Sequence, residues 1–217
     1  MPQPAVLWLF IIIIALAIID SSNAMAIVEP ASSALGVCLL TASDQETIWK
    51  CLKYAAHETT DVRNMALLQP YGQDFGQWPG DIGVGAVHKN NNSEGEMLGA
   101  AWIRDLAAAA ARHNNNNNNG SGLCTHGEGL PELAMAVFPT EQGKGIGTLL
   151  LRHLLEHVQR QGIYPGICLS CRTNNLPAMR LYQKVGFVAV PNSEHPNRAG
   201  GTSVDMVCYF DKTTNTC

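Results

Sequence analysis

The feature that most constrains this 217-residue chain is an apolar strand that runs directly into a glycine-rich turn. Residues 131–139, PELAMAVFP, are apolar almost throughout and bounded by prolines, which predicts a central strand buried on both faces. Residues 141–150, EQGKGIGTLL, then place three glycines in five positions before an apolar helical run to about residue 161. Backbone N–H groups at such a helix start point one way, which favours an anion.

The glycine turn fits neither common nucleotide-binding template. Aligned to a Walker A loop, it has Phe138 at the first glycine and Gly145 at the Ser/Thr position. Aligned to a dinucleotide fingerprint, it has Thr148 at the third glycine. The turn alone therefore leaves two interpretations open: a metal-free cradle for a diphosphate, or a turn needed only for close helix–sheet packing.

The remaining pattern predicts a mixed α/β (α+β) domain over residues 34–212. Residues 43–46, SDQE, form a capping box that begins a helix to about residue 57, and a less regular helix follows at 62–68. Residues 69–81 and 89–95 have loop and hairpin-turn composition. Residues 107–122 are low in complexity and rich in asparagine, which predicts a disordered insertion. The expected strands are 34–40, 81–88, 96–106, 131–139, 163–172, 187–190 and 202–210, and a further helix covers 174–186.

Residues 1–26 differ in character from the rest. The unbroken apolar run at 5–19 is short for a membrane span and suits the core of a signal peptide, with a small-residue cleavage site at 24–26, or an uncleaved membrane anchor. No Lys or Arg precedes the run, and SSNAM at 21–25 looks like a remnant of tag cleavage, so non-native sequence is the alternative. The protein is expected to be membrane-anchored if the segment is native and cytoplasmic otherwise.

Composition excludes some classes of function. The net charge of −4 argues against a nucleic-acid binder, and seven widely spaced cysteines do not suggest a disulfide scaffold.

HLLEH at 153–157 matches a zinc-protease signature, but no third ligand is evident, so we expect a solvated or half-buried histidine pair and no metal. The lone CLSC at 168–171 lies in a strand, where alternation sends the two thiols to opposite faces.

A second motif gives the glycine turn its meaning. QGKGIG at 142–147 precedes the predicted strand 163–172, and NLPAMRLYQKVGF at 175–187 follows that strand. Together they resemble the GNAT (Gcn5-related) N-acetyltransferase family, whose patterns Q/R-x-x-G-x-G/A and N-x-x-A-x-x-L-Y-x-x-x-G-F they meet. The resemblance covers about residues 34–210. It implies a GNAT-like fold, with a central mixed, mostly antiparallel sheet of about seven strands flanked by four helices.

The resemblance also implies a reaction and its co-substrate. The expected activity is acetyl-CoA-dependent transfer to a primary amine by direct attack on the thioester; a catalytically inactive acyl-CoA-binding regulatory module is the alternative. The loop amides would hold the diphosphate, while the strand backbone and an asparagine would hold the pantetheine arm. The residues so assigned are Ala136, Val137, Phe138, Gln142, Gly143, Lys144, Gly145, Ile146, Gly147, Thr148 and Asn175.

Two residues are candidates for moving protons. Tyr182 matches the family's general acid, although it also lies in a helical apolar stripe and could be a plain core tyrosine. Glu132 is the candidate base, acting directly or through water, because desolvation at the mouth of an apolar strand could raise its pKa. The alternative is a strand-end glutamate that reaches solvent.

The expected partners follow from the resemblance and the composition. They are a small-molecule or peptide amine as acceptor and no nucleic acid, with membrane association through residues 5–19; a homodimer is also allowed. By resemblance, the acceptor should lie against the first two helices and the closing strands.

Overall fold

One eight-stranded sheet organises the part of the chain that the computed structural model describes, residues 35–89, 95–112, 123–127 and 129–210. The strands are β1 Leu35–Leu39, β2 Ile82–His88, β3 Met97–Arg104, β4 Glu132–Val137, β5 Gly166–Arg172, β6 Val188–Ala189, β7 His195–Pro196 and β8 Thr202–Tyr209. Their order is β1-β2-β3-β4-β5-β8-β6, with β7 paired to β8 off this path. Every pair is antiparallel except β4 with β5, which are parallel.

Helices cover both faces of the sheet. They are α1 Gln45–Ala55, the one-turn α2 Gln69–Gly72, α3 Leu106–Arg112, α4 Ile146–Gln161 and α5 Leu176–Lys184. Apolar residues at helical spacing give α4 its buried stripe, which includes Leu150, Leu154 and Val158. The stripe packs against the sheet together with the inner side of α5, whereas α1 and α2 cover the opposite face.

Strand β4 lies between the two cores and is apolar on both faces. Leu133 joins the core under α4, whereas its neighbours Ala134 and Ala136 join the core under α1. Strand alternation explains this division, since successive side chains point to opposite faces. The prediction of a central strand at this position is therefore confirmed.

The predicted fold class is confirmed, and several element boundaries are corrected. The sheet has eight strands rather than about seven, because β7, a two-residue strand, carries no hydrophobic pattern. The helix predicted at 62–68 is wrong: that stretch forms turns, and a helical turn begins only at Gln69, inside the predicted loop. Pro70 sits in its first turn, where the missing N–H costs nothing.

Two further local predictions also need correction. The capping box lies two residues earlier than predicted, where Thr41 N–H donates to Asp44 Oδ2 at 2.7 Å and Ser43 N–H donates to Thr41 Oγ1 at 3.3 Å. The predicted disordered insertion at 107–122 begins as helix α3, while residues 113–122 lie outside the described part of the chain.

The predicted signal peptide or anchor, residues 1–26, also lies outside the described residues and stays a prediction. None of the described helices has the length and apolar character needed to cross a bilayer.

Candidate active site

A gap opens in the sheet between β4 and β5. These strands share a single register position, Glu132 with Cys168, whereas β3 and β4 share six and β5 and β8 share seven. The strands therefore separate towards their carboxyl ends. Because the two strands are parallel, the segments that follow them, the glycine turn and the start of α5, flank the same open end.

The three glycines of the turn have two different roles. Gly143 and Gly145 adopt positive φ angles of 76° and 83°, and apart from the adjoining backbone no heavy atom of the described residues lies within 4 Å of where their Cβ atoms would be. At Gly147, by contrast, a Cβ would lie 2.9 Å from Leu181 Cδ2 of α5. The packing interpretation thus holds at Gly147, whereas Gly143 and Gly145 border open space.

The start of α4 leaves its first backbone amides available. Gly145 is the N-cap residue, no side chain in the described part of the chain makes a capping hydrogen bond here, and the first turn carries no acidic residue. The first helical hydrogen bond described runs from Leu149 N–H to the Gly145 carbonyl at 3.1 Å. The amides of Ile146, Gly147 and Thr148 therefore lack helical acceptors and point towards the turn.

Two polar side chains of the turn have partners within the turn. Lys144 Nζ lies 3.0 Å from Glu141 Oε2, and this hydrogen bond lowers the pKa of Glu141. Gln142 Nε2 donates to the Val137 carbonyl at 3.0 Å and so ties the turn to the end of β4. At the other flank, Asn175 Oδ1 accepts from Ala178 N–H at 3.3 Å, which leaves the Asn175 amide N–H groups for other acceptors.

Tyr182 lies on α5 and packs against the core under α4. Its ring meets the edge of Phe187 with centroids 5.8 Å apart, as a core tyrosine would. No hydrogen bond to its hydroxyl is found among the described residues, and the side chain is half-buried. Burial raises the pKa of Tyr182 above its ordinary value, with a smaller contribution from Cys171, so the phenol is protonated at neutral pH.

Glu132 is buried, so the interpretation of a solvent-exposed strand end is wrong. Its Oε1 accepts from the Tyr71 hydroxyl at 2.6 Å, and its Oε2 accepts from Cys124 N–H at 3.1 Å. Desolvation raises the pKa of Glu132 to about 7, although these hydrogen bonds oppose the rise. Strand alternation places Glu132 on the α1 face, whereas Tyr182 lies on the α4 face.

Residues 123–127, here called the covering segment, bond to this α1 face through four consecutive backbone N–H groups. Leu123 donates to the Tyr71 hydroxyl at 2.8 Å, and Cys124 donates to Glu132 as described above. Thr125 and His126 donate to Asp205 Oδ2 at 2.9 and 3.1 Å. The segment therefore covers two buried carboxylates, one at the start of β4 and one in the middle of β8.

Asp205 is the more unusual of these two acids. It is fully buried, and its Oδ2 also accepts from the Thr125 hydroxyl at 3.0 Å and contacts His126 Nδ1 at 2.8 Å. Its Oδ1 has no hydrogen-bond partner among the described residues. Across the β5–β8 pairing it lies opposite Ser170, whose Oγ is 3.3 Å from His195 Nε2.

Sequence reasoning missed Tyr71, Asp205 and the covering segment. Tyr71 is 61 residues from Glu132, and Thr125 is 80 residues from Asp205, so no local spacing links them. The lone acid in the apolar run SVDMVCY was a usable signal, because a charge in a buried strand needs partners.

The structure places the two other motifs, CLSC at 168–171 and HLLEH at 153–157, in ordinary packing or surface positions. Cys168 faces the covering segment and Cys171 joins the core under α4, so the predicted division between faces is confirmed. His153 is exposed, and His157 Nε2 lies 3.2 Å from Gln161 Nε2 one turn further along α4. The described residues contain no group of three metal-ligating side chains.

Comparison with known proteins identifies the class to which this fold and site belong. The family model described as "Acetyltransferase (GNAT) family" matches residues 67–187. The chain therefore belongs to the GNAT acetyltransferase family.

One curated relative is the [ribosomal protein bS18]-alanine N-acetyltransferase of Haemophilus influenzae. It is 37% identical over 80 residues, which are 35% of this chain and 53% of the relative. The chain thus spans about half the length of that relative.

Solved structures share the fold. The putative acetyltransferase YncA of Salmonella typhimurium, solved with its cofactor acetyl-CoA, has a TM-score of 0.56 at 18% identity, with 82% of this chain and 95% of that chain covered. The ribosomal-protein-S18-alanine N-acetyltransferase of Escherichia coli has a TM-score of 0.53 at 18% identity, with 81% and 93% covered.

Proposed function

We propose that this protein transfers the acetyl group of acetyl-CoA to a primary amine by direct attack of the amine on the thioester. The observation that carries the proposal is the gap between β4 and β5 with an open glycine turn at its mouth. The fold similarity to YncA, which was solved with acetyl-CoA, supports the same co-substrate here.

The residues at the gap fit acetyl-CoA. Side chains at Gly143 and Gly145 would fill the space beside the free amides of α4, and a diphosphate could accept from those amides without a metal. On its β5 side the β4 backbone beyond Glu132 has no paired strand and could bond the amides of a pantetheine arm, with the Asn175 amide at the opposite flank; within the predicted stretch 136–138, the Phe138 N–H instead donates to the Leu98 carbonyl on the β3 side. Acetyl-CoA supplies the activated acyl group and a thiol leaving group.

Tyr182 is proposed as the acid that protonates the departing thiolate. Its phenol is protonated at neutral pH, as an ordinary tyrosine is, burial raises its pKa further, and no hydrogen bond among the described residues holds that hydroxyl elsewhere. Glu132 is proposed as a base for the acceptor ammonium. Because both of its oxygens already accept hydrogen bonds, it would act through water rather than by direct contact.

The acceptor is proposed to be the N-terminal amine of a peptide or protein. The support is the H. influenzae relative, whose name specifies an alanine of a ribosomal protein. The two buried carboxylates on the α1 face, Glu132 and Asp205, also favour an acceptor that arrives as a cation.

Release of CoA thiol from acetyl-CoA tests the proposal directly. The full chain is incubated with a peptide that begins with alanine, the same peptide with a blocked N-terminus, and spermidine. We expect thiol release and a mass increase of one acetyl group with the free peptide only. Turnover of spermidine but not of the peptide would contradict a peptide acceptor and favour a small-molecule amine. Tight acetyl-CoA binding without turnover of any amine would favour the inactive module.

A further inference from the structure

Three polar residues on the α1 face form a chain to which the roles above assign no proton transfer. Strand β8 brings them together: Asp205 lies opposite Ser170 of β5, and β7 pairs with β8 through His195 and Ser203. Ser170 Oγ lies 3.3 Å from His195 Nε2, and His195 Nδ1 lies 3.8 Å from Asp205 Oδ1. A hydroxyl, an imidazole and a buried carboxylate therefore follow one another.

The hydrogen bonds fix which nitrogen of His195 carries its proton. His195 Nδ1 lies 3.0 Å from the Ser193 carbonyl, which can only accept, so Nδ1 is the donor. In the neutral ring Nε2 is then an acceptor, and the Ser170 hydroxyl donates to it. The oxygen lone pairs of Ser170 remain able to accept a proton from a third group.

A buried carboxylate lies close to this imidazole. Asp205 Oδ1 is fully buried and has no hydrogen-bond partner in the described residues, which is a costly state for a carboxylate oxygen. An imidazolium at His195 would place a positive charge 3.8 Å from it. Among the described residues, the second histidine beside this carboxylate is His126 of the covering segment, which contacts Oδ2.

Ser170 lies where an acceptor amine would arrive. It is two residues beyond Cys168, the last position at which β5 pairs with β4, and so it borders the gap. Alternation directs it to the α1 face, opposite the core under α4. Its half-buried side chain therefore lies beside the opening from the face not occupied by α4 and α5.

We propose that Ser170 and His195 form a proton relay that deprotonates the acceptor ammonium, with Asp205 stabilising the imidazolium; this rests on the proposed function. An ammonium N–H proton passes to Ser170 Oγ as the Ser170 hydroxyl proton passes to His195 Nε2. The amine becomes neutral and the ring becomes an imidazolium, so protons and charge balance. His195, with a side chain 26% exposed, then returns the proton to water.

The relay would take the place of Glu132 as the base for the acceptor ammonium, and the two candidate bases differ in their hydrogen bonds. Both Glu132 oxygens accept from protein donors, whereas His195 Nε2 contacts only the Ser170 hydroxyl among the hydrogen bonds described. Ser170 is the residue that touches the acceptor, and His195 and Asp205 act through it.

The test uses two histidines that flank the same carboxylate. His195→Asn keeps a donor near the Nδ1 position and removes the Nε2 acceptor, and His126→Asn makes the same change on the other side of Asp205. The kcat–pH profile is measured with acetyl-CoA and an alanine-starting peptide. We expect His195→Asn and Ser170→Ala to lower kcat about 100-fold and to abolish its ascending limb, as loss of acid–base catalysis does.

Controls separate a relay from a structural role. Ser170→Thr, which keeps the hydroxyl, should restore most of kcat, and His126→Asn should retain the ascending limb. Acetyl-CoA affinity and melting temperature should be the same in all variants. A His195→Asn profile that superimposes on that of His126→Asn would overturn the relay.

A turnover-independent measurement distinguishes this inference from the proposed function. Nitrogen-15 NMR of the histidine rings should show that the neutral ring of His195 carries its proton on Nδ1. Ser170→Ala should shift the Nε2 resonance. A proton found on Nε2 would refute the relay whether or not any amine is acetylated. If no amine releases CoA while the NMR result holds, the proposed function fails and the hydrogen-bonded chain stands.

Discussion

Replacing Gly145 by glutamate tests whether this glycine is needed for diphosphate binding as well as for its positive φ angle. Gly145 has φ of 83°, and its missing Cβ faces open space beside the first amides of α4. Gly162 at the other end of α4 provides the matched control, with φ of 65° and, apart from the adjoining backbone, no heavy atom of the described residues within 4 Å of its Cβ position. Both substitutions strain the backbone, but only Gly145→Glu places a carboxylate beside the proposed diphosphate.

The expected magnitudes follow from these two terms. A side chain in the left-handed region costs about 1–2 kcal/mol, so both variants should lose this much stability. A charge-assisted hydrogen bond to a phosphate oxygen is worth about 1.5–3 kcal/mol, and a like charge at about 4 Å adds about 1 kcal/mol even in water. Since 1.4 kcal/mol is tenfold, the loss of one amide contact together with the added repulsion, about 2.5–4 kcal/mol, should raise the acetyl-CoA Kd of Gly145→Glu about 60- to 700-fold.

Isothermal titration with acetyl-CoA gives the Kd, and urea unfolding gives the stability of each variant. We expect equal losses of stability and a raised Kd in Gly145→Glu alone. Gly143→Glu, with φ of 76° and the same open surroundings, should repeat the effect. If both turn variants bind acetyl-CoA as tightly as Gly162→Glu, the diphosphate does not lie against the turn and the reasoning is refuted.

Three other perturbations address single residues. Tyr182→Phe should lower kcat about 100-fold and leave the melting temperature nearly unchanged, because its hydroxyl has no described hydrogen-bond partner; an unchanged kcat would make it a core tyrosine. The folded-state pKa of Glu132 is about 7, against an ordinary value of 4.5. Between these pH values the folded chain binds more protons than the unfolded chain, so the free energy of unfolding should fall by about 3 kcal/mol as pH rises through them. Glu132→Gln should flatten that fall in urea unfolding, and an unchanged ascending limb of its pH–rate profile would remove Glu132 from the mechanism. Gly147→Val should cost about 1–3 kcal/mol through its contact with Leu181, and a double-mutant cycle with Leu181→Ala should show coupling; additive losses would argue against that contact.

The strongly patterned elements of the fold could be predicted from the sequence. Helix α4 was predictable because its buried stripe repeats at helical spacing over 16 residues, and β4 because an apolar run between prolines suits a strand buried on both faces. The weakly patterned pieces were not predictable. The turns at 62–68 carry apolar residues that pack in the core under α1 without forming a helix, and His195–Pro196 is too short for any periodicity.

The glycine turn shows what sequence can and cannot give. Spacing located the turn and the resemblance suggested a ligand, but neither could assign different roles to neighbouring glycines. That division depends on where Leu181 lies, 34 residues beyond Gly147 in the chain and on a different helix. The same limit applies to Glu132, because its burial comes from Tyr71 and a covering segment brought to it by the fold rather than by neighbours in sequence.

The acidic α1 face is in fact set by packing on the opposite side of the sheet. Leu169 and Met206 are register partners that lie in the core under α4, and the next partners, Ser170 and Asp205, must then point to the α1 face. A register slip of one residue would bury Asp205 among leucines and expose Met206, so the apolar core strongly disfavours it. The position of the unpaired Asp205 oxygen beside His195 is therefore as firmly specified as the hydrophobic core, although none of the three relay residues contributes to that core. Variants that loosen Leu169 or Met206 should consequently impair proton transfer along with stability, whereas the His195 and Ser170 variants should affect proton transfer alone.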